Sequence, residues 1–464
     1  MKRIAIVGSG IAGLTAAYEL SRLANNGAAI EAVLFESSPR LGGIVETVRE
    51  GGFVIECGPD AWVTEKPWAR ELAEELGLGD AIISSNDATR KTYVLMDGQL
   101  KAMPDGMRMM VPSNLHALDQ SDLFSIEAKQ AFHAEVNRAA ELKAAAPQQD
   151  ESVAAFVQRH FGNEVLATIG APLLRGVFGG DVTKLSVRAV MAPFVAMERE
   201  HGSLIAAMRA RAIASDTKQA AVFTTLQSGL GTLVDSMIAA VPKDWIRLGT
   251  KVRSISHSHE KWGLETSTSQ EKFDAVMMAA PAHIARELLL PIDGRAAELM
   301  EMDASSAVVV AFGFPDAAKF PTPPGFGFLV PQGSGSRLLA CTFVDQKFAN
   351  RVPQNGKLIR AFFGGDAAER LMRCGNDEIS SVARLELAHI LGPLPEPQVT
   401  VVRRWPMSLP QYAVGHLERM QELDERIRNL SGLSLLGNGY RGVGLPDLIR
   451  DARTAAQQSI EGDK

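Results

Sequence analysis

The sequence predicts a protein of mixed α/β and α+β class in three parts: a Rossmann-like nucleotide-binding unit, a unit built on a mixed sheet, and an inserted helical unit. Three observations carry this. The chain opens with an apolar run into a glycine-rich turn, Gly8-Ser9-Gly10-Ile11-Ala12-Gly13, followed by helical spacing from Leu14 to Leu23. Near the far end a second apolar run, Leu433 to Leu436, leads into Gly437-Asn438-Gly439 and then a helix entered at Pro446-Asp447. Between them lie an Ala/Leu/Glu/Arg-rich stretch, Leu118 to Ala214, and β-prone runs punctuated by Gly and Pro from Val308 to Phe363.

In the opening turn, Gly8 permits the tight bend, Gly10 lets the backbone approach a pyrophosphate, and Gly13 lets the helix pack close to the strand. The helix N-terminus then meets phosphate charge with unpaired N–H groups. Glu36 closes the next strand-like run, roughly twenty residues on, where a carboxylate accepts hydrogen bonds from ribose hydroxyls. With Arg40-Leu-Gly42-Gly43 following, the expected dinucleotide is FAD. A helix is expected over Pro67 to Leu76, and Asp97-Gly98 between β-prone runs predicts a hairpin with a type I′ turn. Short strands are expected at Trp245 to Leu248, Lys251 to Ile255, Trp262 to Thr266 and Phe273 to Ala279. The expected boundaries are 1–85 with 215–285 and 428–464 for the FAD-binding unit, 86–105 with 286–427 for the substrate unit, and 106–214 for the helical unit.

At 464 residues, two or more domains are expected. A formal charge of −6 without a dense Lys/Arg run gives no footprint for nucleic acid. Cys57, Cys341 and Cys374 lack the spacing of a zinc site and are expected as free thiols. The start shows no export signal, so a cytoplasmic location is expected. No apolar stretch reaches the roughly 18 residues of a membrane span. A peripheral membrane contact stays open, with Met103 to Val111 as the candidate patch, although methionines there read more readily as core. Oligomeric state is not legible. No Ser/His/Asp arrangement, metal cluster or carboxylate pair stands out, and no catalytic acid or base is assigned.

The segments Gly8 to Leu14, Glu36 with Arg40 to Gly43, Gly58-Pro59-Asp60-Ala61, Leu409-Pro-Gln411-Tyr412-Ala-Val-Gly415-His416 and Gly437 to Asp447 resemble the oxygen-dependent protoporphyrinogen/coproporphyrinogen oxidases of the flavin amine oxidase superfamily. The first two are shared across the superfamily; the others are more particular to the porphyrinogen oxidases. The resemblance implies FAD, a porphyrinogen substrate, oxygen as acceptor and hydrogen peroxide as product. It implies that Gly8 to Gly13 hold the pyrophosphate, Glu36 with Ser37 the ribose end, and Arg40, Gly42 and Gly43 the adjoining backbone. By the same likeness Gly58, Pro59, Asp60 and Ala61 border the flavin, and Val252 gives a main-chain contact to the adenine. Trp405, Val443, Gly444 and Leu445 lie against the isoalloxazine, and Arg90 pairs with a substrate propionate, for which a planar guanidinium is suited. Two departures stand out: Asp451-Ala452 replaces a common Ser-Gly, and Phe178 replaces a tyrosine. His416 reads more readily as a bonded core histidine than as a proton shuttle, and Phe326, Phe328, Leu329 and Phe343 more readily as core than as walls that sandwich a tetrapyrrole. The alternatives are another flavin oxidase, acting on an amine or a carotenoid precursor, and a non-catalytic flavoprotein.

Overall fold

The computed structural model describes residues 1–214 and 221–461; residues 215–220 and 462–464, inside the segments expected for FAD binding, lie outside the described residues. Five parallel strands form the first sheet, in the order Ile246–Arg247, Ile30–Phe35, Lys2–Val7, Ala275–Met278, Leu433–Leu435. The opening strand is thus central, and the last strand of the chain is an edge. A parallel sheet needs cover on both faces, and alternation along the strands supplies it. Ile4, Ile6, Ala32, Leu34, Ala275 and Met277 pack with helices Ile11–Asn25, Gly231–Ala240 and Leu445–Glu461. Ala5, Val7, Val33, Phe35, Val276 and Met278 pack with the meander Ser254–Ser258, Lys261–Glu265, Gln270–Phe273 and with helices Ala282–Leu289, Gly294–Leu299 and His416–Arg428. On this packing we assign residues 286–300 and 416–427 to the nucleotide-binding unit, which moves the expected boundaries at 285/286 and 427/428.

Two sequence expectations change here. Phe273 to Ala279 is not one strand, because the Asp274 carboxylate accepts Arg3 N–H at 2.8 Å and pairs with Lys261, and the chain changes sheets at that residue. Val252 is not on a strand. Thr250 N–H donates to Glu36 O at 2.7 Å, which holds this segment to the end of Ile30–Phe35, and the meander starts only at Ser254.

The second sheet has seven strands, in the order Val399–Pro410, Ala304–Phe314, Lys357–Gly364, Ala340–Phe343, Gly327–Leu329, Thr92–Met96, Gln99–Ala102; only the pairing of Gly327–Leu329 with Thr92–Met96 is parallel. The Thr92–Met96 hairpin turns at Asp97 (φ 52°) and Gly98 (φ 75°), the positive pair that a type I′ turn requires. Cross-strand pairs share a face. Val402, Val310, Ala361, Cys341, Phe328 and Tyr93 make a buried row under helices Gly365–Leu371 and Asn376–Leu391. The opposite face carries Arg403, Val309, Phe362, Ala340 and Leu329 in one row, and Val401, Ala311, Arg360, Thr342, Gly327 and Thr92 in the next. Phe362, Ala340, Leu329 and Thr342 on that face are only half-buried.

Helices from Leu115 to Ala214 form the third unit. Met110 and Val111 are buried in its core, and Met103, Met107 and Met109 pack against it, as the core reading of those methionines expects. No helix among the described residues is long and apolar enough to cross a membrane.

Inside this unit His160, fully buried, lies 3.0 Å from Glu135 through Nδ1 and 3.0 Å from Glu198 through Nε2. Arg159 pairs with Glu198 and Glu151 at the same cluster. Burial alone would lower the imidazole pKa; the hydrogen bonds to Glu135 and Glu198 outweigh it and raise the pKa. A raised folded pKa contributes stability that is full below the ordinary histidine value, about 6.5, and is lost as pH rises through the raised value. Thermal midpoints measured at increasing pH above 6.5 should therefore fall for the wild type and fall less for His160→Gln; parallel curves for the two proteins would exclude this origin.

Candidate active site

The glycine turn is tight at Gly8 and closely packed at Gly13. A Cβ on Gly13 would stand 1.9 Å from Gly8 O, and one on Gly8 (φ +101°) 2.7 Å from Ala279 O, so helix, turn and the neighbouring strand are in direct backbone contact. A Cβ on Gly10, by contrast, would meet nothing within 4 Å. Gly10 caps helix Ile11–Asn25 without a side-chain acceptor for its first N–H groups. Open space over a helix N-terminus that lacks a side-chain cap is the shape and polarity a pyrophosphate requires. The side chains of Ile11 and Ala12 are buried, leaving their main chain to face that space.

Glu36 sits at the turn's edge. Its Oε2 accepts Ser9 N–H at 2.9 Å and Ser9 O–H at 2.6 Å, while Oε1 accepts Ser38 N–H at 2.7 Å and lies 3.4 Å from Ser37 Oγ. Burial opposes the charged form, but these hydrogen bonds win and hold the carboxyl below its usual pKa. Oε2 is thereby satisfied, while Oε1, whose second contact is long, keeps accepting capacity. Val252, with no backbone hydrogen-bond partner among the described residues, lies two residues past Thr250, whose N–H is bonded to Glu36 O.

The Arg40 to Gly43 turn closes on the glycine turn: Gly42 N–H donates to Ser9 O at 2.9 Å, and a Cβ on Gly43 would stand 3.0 Å from Gly10 Cα. The Arg40 guanidinium donates to Leu41 O at 3.0 Å, Val45 O at 3.2 Å and Gly43 O, so it shapes the turn from within. Gly58 packs against the residue after this turn, its Cβ position 2.0 Å from Ile44 O. Trp405 Nε1 donates to Cys57 O at 2.7 Å and so joins the second sheet to the Gly58-Pro59-Asp60-Ala61 segment. Trp405 stands at a bulge, where Leu409 and Trp405 oppose Ser305 and Ala307.

The C-terminal segment completes the enclosure. Asp447 pairs with Lys66 at 2.5 Å, tying Val443, Gly444 and Leu445 to the segment after Gly58. Tyr412 O–H donates to Asn438 O at 2.6 Å, and Gly442 N–H donates to Tyr412 Oη at 3.0 Å. Gln411 Nε2 donates to Phe178 O at 2.8 Å. The Pro-Gln-Tyr motif is therefore a joint between all three units. His416, buried, has Nε2 2.9 Å from Tyr440 O and stacks on Tyr412 at 3.9 Å; burial lowers its pKa to about 4, so the ring is neutral and structural.

Several residues here were not read from the sequence. Arg360, on the open face of the second sheet, donates to Gly58 O and lies 3.4 Å from Asp60, which also pairs with Lys347 at 2.8 Å. Burial would raise the Asp60 pKa, but Lys347 and Arg360 hold it down. Arg403 clamps Glu46 bidentately at 2.7 and 2.9 Å. These partners stand some 290 to 360 positions apart in the chain, and the only local signal was a carboxylate in Gly58-Pro59-Asp60 that needs a counter-charge. Arg90, the expected substrate contact, lies at the start of Thr92–Met96, 37% exposed and 3.7 Å from Asp87. Phe326, Phe328 and Phe343 are buried, the latter two in the core beneath the other face; Leu329 and Phe362 are on the open one. No group of three or more His, Cys, Asp or Glu among the described residues forms a metal site.

Over residues 11–460 the sequence matches the family described as flavin containing amine oxidoreductase. It is 32% identical over 467 residues to Coproporphyrinogen III oxidase of Bacillus subtilis (strain 168), covering 99% of this chain and 98% of that one. It is 26% identical over 489 residues to Protoporphyrinogen oxidase 2, chloroplastic/mitochondrial, of Arabidopsis thaliana, covering 99% and 94%. A crystal structure from Exiguobacterium sp. 255-15, provisionally named a protoporphyrinogen oxidase, matches with a TM-score of 0.87 at 30% identity over 99% of each chain.

Proposed function

The chain belongs to the flavin containing amine oxidoreductase family and is an FAD-dependent oxidoreductase; from that premise we propose that it oxidises a porphyrinogen to the porphyrin in haem synthesis. Molecular oxygen is the acceptor: six hydrogens leave the porphyrinogen and three O2 become three H2O2. The observation that carries this reading is the broad, half-buried face of the second sheet, with Phe362, Ala340 and Leu329 in one row, lying against the cradle through Trp405 and Arg360. A broad macrocycle with an apolar body and carboxylates at its edges suits such a face.

FAD supplies the two-electron chemistry when bound. The residues of the chain position it: the N–H groups from Ile11 to Gly13 take the pyrophosphate, Glu36 and Ser37 the ribose end, and Arg40, Gly42 and Gly43 shape the wall beside it. Val252 borders the adenine. Gly58 to Ala61, Trp405 and Val443 to Leu445 enclose the isoalloxazine, with Asp60 fixed by Lys347 and Arg360. Arg90 receives a propionate.

Purified holoenzyme should form porphyrin and peroxide from coproporphyrinogen III or protoporphyrinogen IX while consuming oxygen. Anaerobic bleaching of the flavin by amines and by neither porphyrinogen would overturn the reading. Arg90→Ala should raise the KM for the porphyrinogen about tenfold, the loss expected for one charge-assisted hydrogen bond, with normal flavin content. Unchanged steady-state kinetics would remove Arg90 from the site.

A further inference from the structure

Helix Ala171–Phe178 of the helical unit lies over strands Gly327–Leu329 and Lys357–Gly364. Its C-terminal end is pinned to the second sheet: Ser305 O–H donates to Gly179 O at 2.7 Å and Gln411 Nε2 donates to Phe178 O at 2.8 Å. One turn earlier, half-buried Arg175 extends to the sheet end where the open face stops. Its Nη1 lies 3.4 Å from Gln332 Oε1, and its Nη2 3.6 Å from where a Cβ on Gly365 would be. Among the described residues no carboxylate is within ion-pairing distance of it; Asp181 feels its charge only weakly, after Thr183 and Lys184. A guanidinium held by one neutral amide retains donors for a carboxylate.

Arg90 stands at the opposite end of the same face, before Thr92, whose register partner is Gly327. At about 3.3 Å of rise per residue, the backbone near Arg90 and that near Gln332 are separated by roughly 20 Å. The two cations therefore bracket the face along the strand direction. Protoporphyrinogen IX has two propionates, both on one edge of the macrocycle, whereas coproporphyrinogen III has four, spread over both edges.

We propose that Arg175 binds a propionate at the edge remote from Arg90 and so makes this a site for a tetracarboxylate porphyrinogen. The proposal rests on the porphyrinogen reading above. It makes Arg175 a specificity residue, holding substrate without taking part in the chemistry.

The test compares holoenzyme of the wild type, Arg175→Ala and Arg175→Lys on coproporphyrinogen III and protoporphyrinogen IX, with flavin content and thermal midpoint as controls. For Arg175→Ala, the KM for coproporphyrinogen should rise about tenfold to a hundredfold, the range for a hydrogen bond to a charged group. Its kcat, and the KM for protoporphyrinogen, should stay within about twofold. Arg175→Lys should recover part of the loss. Equal changes on both substrates would mark a structural role, and no change on either would mark a solvated cation; both overturn the proposal. Titration with the oxidised pigments, coproporphyrin III and protoporphyrin IX, reads the same preference as a ratio of Kd values without turnover. If the wild type oxidises neither porphyrinogen, the function assigned above fails, and the Kd ratio still decides on Arg175: retained in Arg175→Ala, or absent in the wild type, it overturns the proposal.

Discussion

Replacing Gly10 with valine is expected to give a folded protein that purifies without FAD colour. Gly10 has φ −60° and ψ 178°, a conformation open to any L-residue. A Cβ there meets no protein atom within 4 Å, so the fold has no reason to object. What the branched side chain would fill is the space over the N–H groups of Ile11 to Gly13. Each hydrogen bond to a phosphate oxygen contributes about 1.5–3 kcal/mol, and the helix terminus adds about 1 kcal/mol. Losing even two such contacts weakens FAD by a factor of at least about a hundred. Gly13→Val is the companion: with its Cβ 1.9 Å from Gly8 O, it must damage the turn itself. Far-UV circular dichroism and the 450 nm flavin band separate the two. A Gly10→Val protein that retains stoichiometric FAD would place the pyrophosphate elsewhere.

Arg351→Met should be the most destabilising single change near the site. Arg351 and Glu56 are both buried, 3.6 Å apart. Glu56 also accepts Leu230 N–H at 2.7 Å and Thr47 O–H at 2.6 Å, which joins the hairpin Thr47–Glu56 to the start of helix Gly231–Ala240. Burial raises the pKa of Glu56 and lowers that of Arg351, so each ion is sustained in part by the other. Removing the guanidinium strands a buried carboxylate at a cost of about 3–5 kcal/mol. The flavin-release temperature, followed by fluorescence, should drop sharply for Arg351→Met and recover in part in the Glu56→Gln/Arg351→Met double variant. Equal losses in single and double variants would mean that packing, not charge, is responsible.

The cradle was legible because its parts are local. Gly8, Gly10 and Gly13 each state a backbone requirement, and the crowding at Gly8 and Gly13 and the openness at Gly10 are those requirements met in space. The Asp97-Gly98 hairpin was legible for the same reason. Val399–Pro410 was not foreseen as a strand; it is an edge whose register breaks at a bulge beside Trp405. Asp274 hid a change of sheet inside one apolar run, since period-two patterning does not say which partner a strand will find. The pairs Arg360–Asp60, Arg403–Glu46 and Arg351–Glu56 join residues hundreds of positions apart, and no local pattern announces such a meeting. Arg175 stands three residues before Phe178 in the sequence, yet its reach to Gln332 depends on how two units dock.

The strand order of the parallel sheet also sets a timetable. The ribosome delivers the strand beside the glycine turn, Ala275–Met278, some 260 residues after Gly13. The wall contributed by Gly442 to Asp447 follows some 160 residues later still, with helix Leu445–Glu461 closing over helix Ile11–Asn25 through Gln457 and Glu19. At 5 to 20 residues per second, synthesis holds the half-built pocket open for tens of seconds. Until Asp447 has been made, the most recognisable motif in the sequence stands beside a cradle that lacks one of its walls.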